Sequence, residues 1–189
     1  MSKPLESNYF IPHEAMLDGA QASINNGLRL RFDAEVLFQS GKYVSAYTLA
    51  IFSSEEFGKS VFLSKNHYEG KGVTRQEYKD VFTKHPAKIS YFLEQTAEML
   101  REEDRPETVE WFRKMGTQEH FRKIRSLYVD WASGKWSLPD ALNEDDMRAQ
   151  AIEAKRMASI YSKFAEEALK GNSPWVKRSQ KLNIKSSEP

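Results

Sequence analysis

Two adjacent carboxylates and a lysine, in the run Glu55-Glu56-Phe57-Gly58-Lys59, interrupt a stretch whose apolar spacing is helical. Leu49, Phe52, Glu56 and Leu63 recur at helical intervals, which lays Glu56 along an apolar stripe where an unpaired charge is costly. Lys59 lies three residues after Glu56 and within its reach, and Glu55, four residues before Lys59, can pair with it from the neighbouring row. Two readings follow. In one, Glu56 and Lys59 form a structural ion pair that fixes the register of their helix, and losing one partner of such a buried pair costs about 3–5 kcal/mol. In the other, Glu56 and Lys59 belong to a binding site completed by groups from elsewhere in the chain.

Two further clusters carry chemistry. Arg122 and Arg125 lie at a three-residue step beside the stripe Phe121, Ile124, Tyr128 and Trp131. In a site, the arginines would bind phosphate, Tyr128 would position a group or donate a proton, and Asp130 would orient an arginine. In a plain core helix, the same residues are a solvated edge and a tyrosine whose hydroxyl reaches the surface. His85 precedes Pro86, and Lys88 falls in the first turn of the helix that Pro86 opens. Free backbone amides there attract anions, so His85 and Lys88 are candidates for a phosphate site, or else a solvated helix start. His13 and His67 have no recognisable neighbours and read as surface residues. Four histidines without zinc-ligand spacing, and no cysteine, predict no metal site and no disulfide. No glycine-rich phosphate loop or nucleophile elbow is present, and no cofactor is expected.

The long first helix carrying Asn26, Leu30, Asp33, Ala34 and Leu37, then Gly41-Lys42-Tyr43, then Glu55-Glu56-Phe57-Gly58-Lys59, resembles the AbiV-type abortive-infection proteins of the HEPN superfamily. His85-Pro86-Ala87-Lys88 resembles the family's His-x-x-Lys. Arg125-Ser126-Leu127-Tyr128-Val129-Asp130, followed by Trp136 and Pro139, resembles its Leu-Tyr-Val-Asp segment. The resemblance implies an all-α HEPN-like helical bundle and a phage-defence role, arresting translation in the infected cell by RNA cleavage or binding. It also implies a homodimer, contact with RNA or the translation machinery, and a phage-encoded trigger.

HEPN ribonucleases work without metal, through an arginine and a histidine with four to six residues between them. Here that interval after Arg122 or Arg125 reaches no histidine; only Arg113 and His120 have the literal spacing, across Gly116 and Thr117. On the family-like positions, Arg125, Tyr128 and His85 are the candidate catalytic residues of a metal-independent endoribonuclease. Arg122, Lys88, Asp130, Glu56 and Lys59 are the candidate binding residues, with Arg113 and His120 as the lesser alternative. The missing arginine-to-histidine interval leaves open a non-catalytic HEPN module that binds RNA, a nucleotide or a partner protein.

These residues need a scaffold, and 189 residues suit one compact domain. We expect a helical domain over 1–170 and a basic tail over 171–189, in which Lys177, Arg178, Lys181 and Lys185 face a single acid, Glu188. Pro12 and Gly41 bracket a first long helix, and the tight turn at Gly41 makes a second, from about Lys42 to Glu69, its antiparallel neighbour. Thr74-Arg75-Gln76-Glu77 reads as a capping box opening a short helix. Three further main helices are expected, over about Pro86–Glu103, Gln118–Trp131 and Asn143–Lys170, with a short one around Glu107–Lys114 and a loop over Ser133–Asp140. A net charge of +1 restricts any nucleic-acid contact to a local patch. No apolar run approaches the roughly 18–20 residues of a membrane span, so a cytoplasmic protein without membrane contact is expected.

Overall fold

The computed structural model describes residues 10–83, 130–132, 135–137 and 143–173, and elements are numbered within these residues. Helix α1 (Met16–Gln39) follows a 3-10 turn, His13–Ala15, that begins directly after Pro12. Its buried residues Met16, Ala20, Ser23, Ile24, Gly27 and Ala34 form one stripe at helical spacing. The helix stops where Gly41, at φ 71°, turns left-handed: the Gly41 amide donates to the Phe38 carbonyl at 3.0 Å and the Lys42 amide to that of Leu37 at 2.9 Å. This paired bonding satisfies carbonyls that would otherwise be orphaned, and glycine is favoured at its left-handed position. Helix α2 (Tyr43–Tyr68) then runs back along α1, as expected from the short turn, and ends in the same bonding pattern at Gly70.

Val73 pairs with Ile11 in one antiparallel bridge, which ties the chain ahead of α1 to the chain leaving α2. Thr74 caps the short helix α3 (Arg75–Tyr78) in the expected capping box: its hydroxyl accepts from the Glu77 amide, and the Glu77 carboxylate accepts from the Thr74 amide at 2.8 Å. A π-helical turn, Lys79–Thr83, follows. The helices expected over Pro86–Glu103 and Glu107–Lys114, and the helix expected from Gln118 up to residue 129, lie outside the described residues. The expected end of that last helix is corrected. Asp130–Ala132 is a strand, β1, paired antiparallel with β2 (Lys135–Ser137), so Trp131 stands opposite Trp136. The loop expected from Ser133 accordingly contains β2. Ser133-Gly134, between two tryptophan-bearing runs, is a hairpin signal, and aromatic cross-strand pairs favour the ladder over a further helical turn.

Helix α4 (Glu144–Leu169) matches the expected Asn143–Lys170 span, with the Asn143 side chain accepting from the Asp146 amide at 3.0 Å. Glu144, Asp145 and Asp146 fill its first turn, where the helix dipole favours negative charge. Its buried residues Met147, Ala151, Ala154, Ala158, Tyr161, Ala165 and Ala168 alternate steps of four and three, a seam with the period of a coiled coil and five alanines that allow close approach. Among the described residues the fold is all-α apart from the antiparallel β1–β2 pair.

The main core joins Ile24 and Ala34 of α1, Ala46, Tyr47, Ala50, Ile51, Phe57 and Val61 of α2, and the α4 seam. A second core gathers Met16, Ala20, Phe62, Leu63, Val73 and Val81 at the other end of the α1–α2 pair. Between α1 and α2 the backbones come close at Gly27. The Ser53 hydroxyl donates to the Gly27 carbonyl at 2.7 Å, and a β-carbon on Gly27 would lie 2.7 Å from Cε1 of Phe57. Phe57 is fully buried, so the ring has little room to give. We predict that Gly27→Ala lowers stability by about 1–3 kcal/mol through overpacking. Combining it with Phe57→Leu should recover part of the loss, so the two changes are non-additive in a thermal-melt cycle. Equal stability of Gly27→Ala and the parent would show that the helices separate freely at this point.

Candidate functional site

Helix α2 lies between α1 and α4 and is buried on nearly every side, which decides how its polar residues behave. Thr48, Ser54 and Asn66 turn back to the carbonyls of Val44, Ala50 and Phe62 on their own helix, so each buried group is satisfied locally. The charged residues are paired as well. Glu56 and Lys59 form an ion pair, each side chain only 16% exposed. The Lys59 ammonium also stands 5.9 Å from the centre of the Phe82 ring, close enough for a cation–π contribution. Phe82 in turn stacks on Tyr78 at 4.8 Å and meets Phe62 edge-on, so the lysine sits beside an aromatic cluster.

The burial order of the two carboxylates reverses the expectation. Glu55, not Glu56, is the fully buried one, at 2% exposure, and it is not without a partner. Glu55 follows Thr48 and Ile51 and precedes Phe62 along a wholly buried row, while Glu56 follows the half-buried Leu49 and Phe52. The expected pairing of Glu56 with Lys59 holds.

Of the other sequence-named residues, Asp130 opens β1, in register with Ser137. His85, Lys88, Arg113, His120, Arg122, Arg125 and Tyr128 lie outside the described residues. The continuous N-terminal stretch ends at Thr83, one residue after the Phe82 that neighbours Lys59 and two before His85. His13 and His67 are corrected from isolated surface residues to a pair. Their rings stack at 4.3 Å with 16° between planes, the His13 Nε2 is 2.8 Å from the His67 carbonyl, and Tyr68 meets the His67 ring edge-on. Fifty-four residues separate them, so no local spacing signals the contact. Among the described residues no group of three or more metal-ligating side chains is assembled, and no helix is long and apolar enough to cross a membrane.

A second feature was not marked by sequence reasoning. Between α1 and α4 lies an open cleft of about 260 Å³ lined by Leu28, Arg31, Phe32, Glu35, Lys155 and Ser159. Lys155 bridges the two helices: its ammonium is 2.6 Å from Glu35 and 3.8 Å from the centre of the Phe38 ring. Hydrogen bonds from Lys155 and then Gln39 hold the Glu35 carboxyl below the usual carboxylate range. Arg31 donates to the Ser162 hydroxyl at 2.9 Å. These partners lie more than a hundred positions apart, beyond any pattern readable along one helix.

With this geometry in place, the chain can be set beside known proteins. The AbiV family model of HEPN domains aligns with residues 15–162. No curated protein and no solved structure matches the chain.

Two outcomes follow from the ion pairs. Glu56→Gln should lower stability by about 1–3 kcal/mol, because it leaves the half-buried Lys59 ammonium with an uncharged acceptor. Adding Lys59→Met should return most of that loss, a coupling read from chemical denaturation of the four variants. The Glu35–Lys155 link has the opposite exposure and a pH signature. The folded Glu35 pKa is depressed, so its contribution is present above the unfolded carboxylate value and disappears as pH falls through the folded value. Glu35→Gln should therefore cost about 0.2–1 kcal/mol at pH 7 and nothing measurable in strong acid, as expected of a pair whose glutamate is 47% exposed.

Proposed function

The chain belongs to the AbiV family of HEPN proteins, and from that premise we propose that it is a phage-defence protein that arrests translation by acting on RNA of the infected cell. The observation that carries this reading is the extent of the match: residues 15–162 span every segment bearing a candidate group, from Glu56 and Lys59 on α2 through His85 and Lys88 to Arg122, Arg125 and Tyr128.

Metal-independent cleavage of RNA needs a base for the 2′-hydroxyl, an acid for the leaving oxygen and a cation for the charge that develops on phosphorus. His85 brings the titration range suited to proton transfer, Arg125 a fixed fork of donors for phosphate, and Tyr128 a positioned hydroxyl. Arg122, Lys88, Asp130 and the Glu56–Lys59 pair would hold and orient the substrate and these groups. The protein works as a homodimer in the cytoplasm, and a phage-encoded product triggers it. A second reading is favoured by one observation: neither Arg122 nor Arg125 is followed by histidine at the superfamily interval. In that reading the same residues bind RNA or a partner without cutting.

Incubating the purified full chain with total RNA in chelator, then mapping 5′ and 3′ ends, separates the two. Discrete cuts that vanish in Arg125→Ala, Tyr128→Phe and His85→Ala, with folding preserved by circular dichroism, support the enzyme. Binding without cuts supports the module. Loss of cutting in His120→Ala alone would move the centre to Arg113 and His120. Phage protection should persist in His13→Ala, whose ring contact is structural and whose loss should show only as a lower melting temperature.

A further inference from the structure

The outward face of α1 bears a feature that neither core uses. Phe32 is 68% exposed and Val36, one turn on, is 49% exposed, the two most exposed large apolar side chains of the helix. Phe32 lies in the short run Arg29-Leu30-Arg31-Phe32-Asp33-Ala34-Glu35, which Val36 follows and whose charges are ordered: both cations precede Phe32 and both anions follow it. We propose that this face of α1 is a self-association surface, on which a second copy of the chain packs antiparallel about a two-fold axis passing beside Phe32.

The charge order selects that occupant and that direction. At 100° per residue, Arg29, Asp33 and Val36 fall on one flank of Phe32, and Leu28, Arg31 and Glu35 on the other. A two-fold axis lying in the contact plane and perpendicular to α1 reverses chain direction while keeping each flank opposite itself. Arg29 then faces Asp33 of the second copy on one flank, and Arg31 faces Glu35 of the second copy on the other. Both contacts occur twice by symmetry. A parallel two-fold arrangement instead brings opposite flanks together, setting Arg29 beside Arg31 and Asp33 beside Glu35 of the second copy, and these like-charge contacts disfavour it.

The side chains concerned have capacity to spare. Arg29 already bonds Asp33 on its own helix at 3.1 Å, with side chains 62% and 40% exposed, and Glu35 bonds Lys155. A guanidinium offers five donors and a carboxylate about four acceptor sites, so these bonds extend into a network across the axis. The cleft beside Phe32, which Leu28 also lines, provides apolar surface for the opposing Phe32 ring. An aromatic side chain at the centre of a two-fold contact, rimmed by charge, is the usual form of an interface hot spot.

This surface gives a location to the homodimer of the functional reading and is independent of whether RNA is cut. The test is the mass of the full chain by sedimentation velocity across a hundredfold concentration range, with melting temperature measured in parallel. The parent should be a dimer. Phe32→Asp should raise the dimer Kd at least a hundredfold without lowering the melting temperature, because the ring is exposed in the single chain. Arg29→Glu with Arg31→Glu, and Asp33→Arg with Glu35→Arg, should each be monomeric alone and should form a one-to-one heterodimer when mixed. A parent dimer that survives Phe32→Asp, or a mixture that stays monomeric, overturns this face while leaving the dimer itself standing. A parent that is monomeric throughout overturns both the face and the dimer, and leaves the RNA reading to its own assay.

Discussion

The structure turns on the approach of α1 to α2 at Gly27. A glycine there brings the backbone of one helix against the Phe57 ring of the other, and Ser53 fastens the contact by donating to the Gly27 carbonyl at 2.7 Å. Close approach makes dispersion contacts dense on both sides of the crossing and fixes how far one helix can slide along the other. The two hydrophobic cores depend on that register: Ile24 and Ala34 reach the α4 side, while Met16 and Ala20 meet Phe62 and Leu63 at the other end. Gly19, whose missing β-carbon would lie 3.1 Å from Leu63, extends the same close packing by two turns.

With α1 seated this way, α2 becomes the central helix, and α4 closes its remaining side through a seam of alanines. Small residues there let α4 settle close, so specificity has to come from groups that reach across. Tyr68 does this at one end by donating to the Leu169 carbonyl at 2.8 Å. Arg31 and Lys155 do it along the α1–α4 edge, through Ser162 and Glu35. The edges of the bundle are thus polar and directional while its interior is smooth, an arrangement in which the interior supplies stability and the edges select one alignment.

That division explains what was legible in the sequence. Helix ends depend on local chemistry, and Pro12, Gly41, the Thr74–Glu77 box and Asn143 marked them within a few residues. The family resemblance rested on ordered segments and was visible as well. The burial order of Glu55 and Glu56 was not, because a periodicity argument assumes one wet face and α2 has almost none. The His13–His67 stack and the Lys155 bridge were hidden for a different reason: each joins residues 54 or more positions apart, and neither partner departs from ordinary surface composition. The hairpin at Trp131 and Trp136 lost to a helical reading because Phe121, Ile124 and Tyr128 set a period that Trp131 continues, although a ladder takes over at Asp130. Of the candidate site, the pairing of Glu56 with Lys59 could be read from a three-residue step. His85, Arg125 and Tyr128 stand on separate segments of the sequence, and no spacing along the chain encodes how such segments meet.

The central position of α2 bears on why the chain keeps charge there at all. Well-packed apolar residues in place of a buried ion pair are often neutral or stabilising, so stability alone does not account for Glu55, Glu56 and Lys59. The usual alternative is that such a pair enforces register. Here register is already imposed by Gly27, Phe57 and Ser53, and a second device for the same purpose would add desolvation cost without adding uniqueness. Register therefore does not account for the fully buried Glu55, nor for Glu56 and Lys59, each only 16% exposed, with the lysine beside the Phe82 ring. Glu56 and Lys59 lie on the partly wet edge of α2 beside Phe82, so the charge this helix keeps there is charge that a group arriving from solvent can still reach.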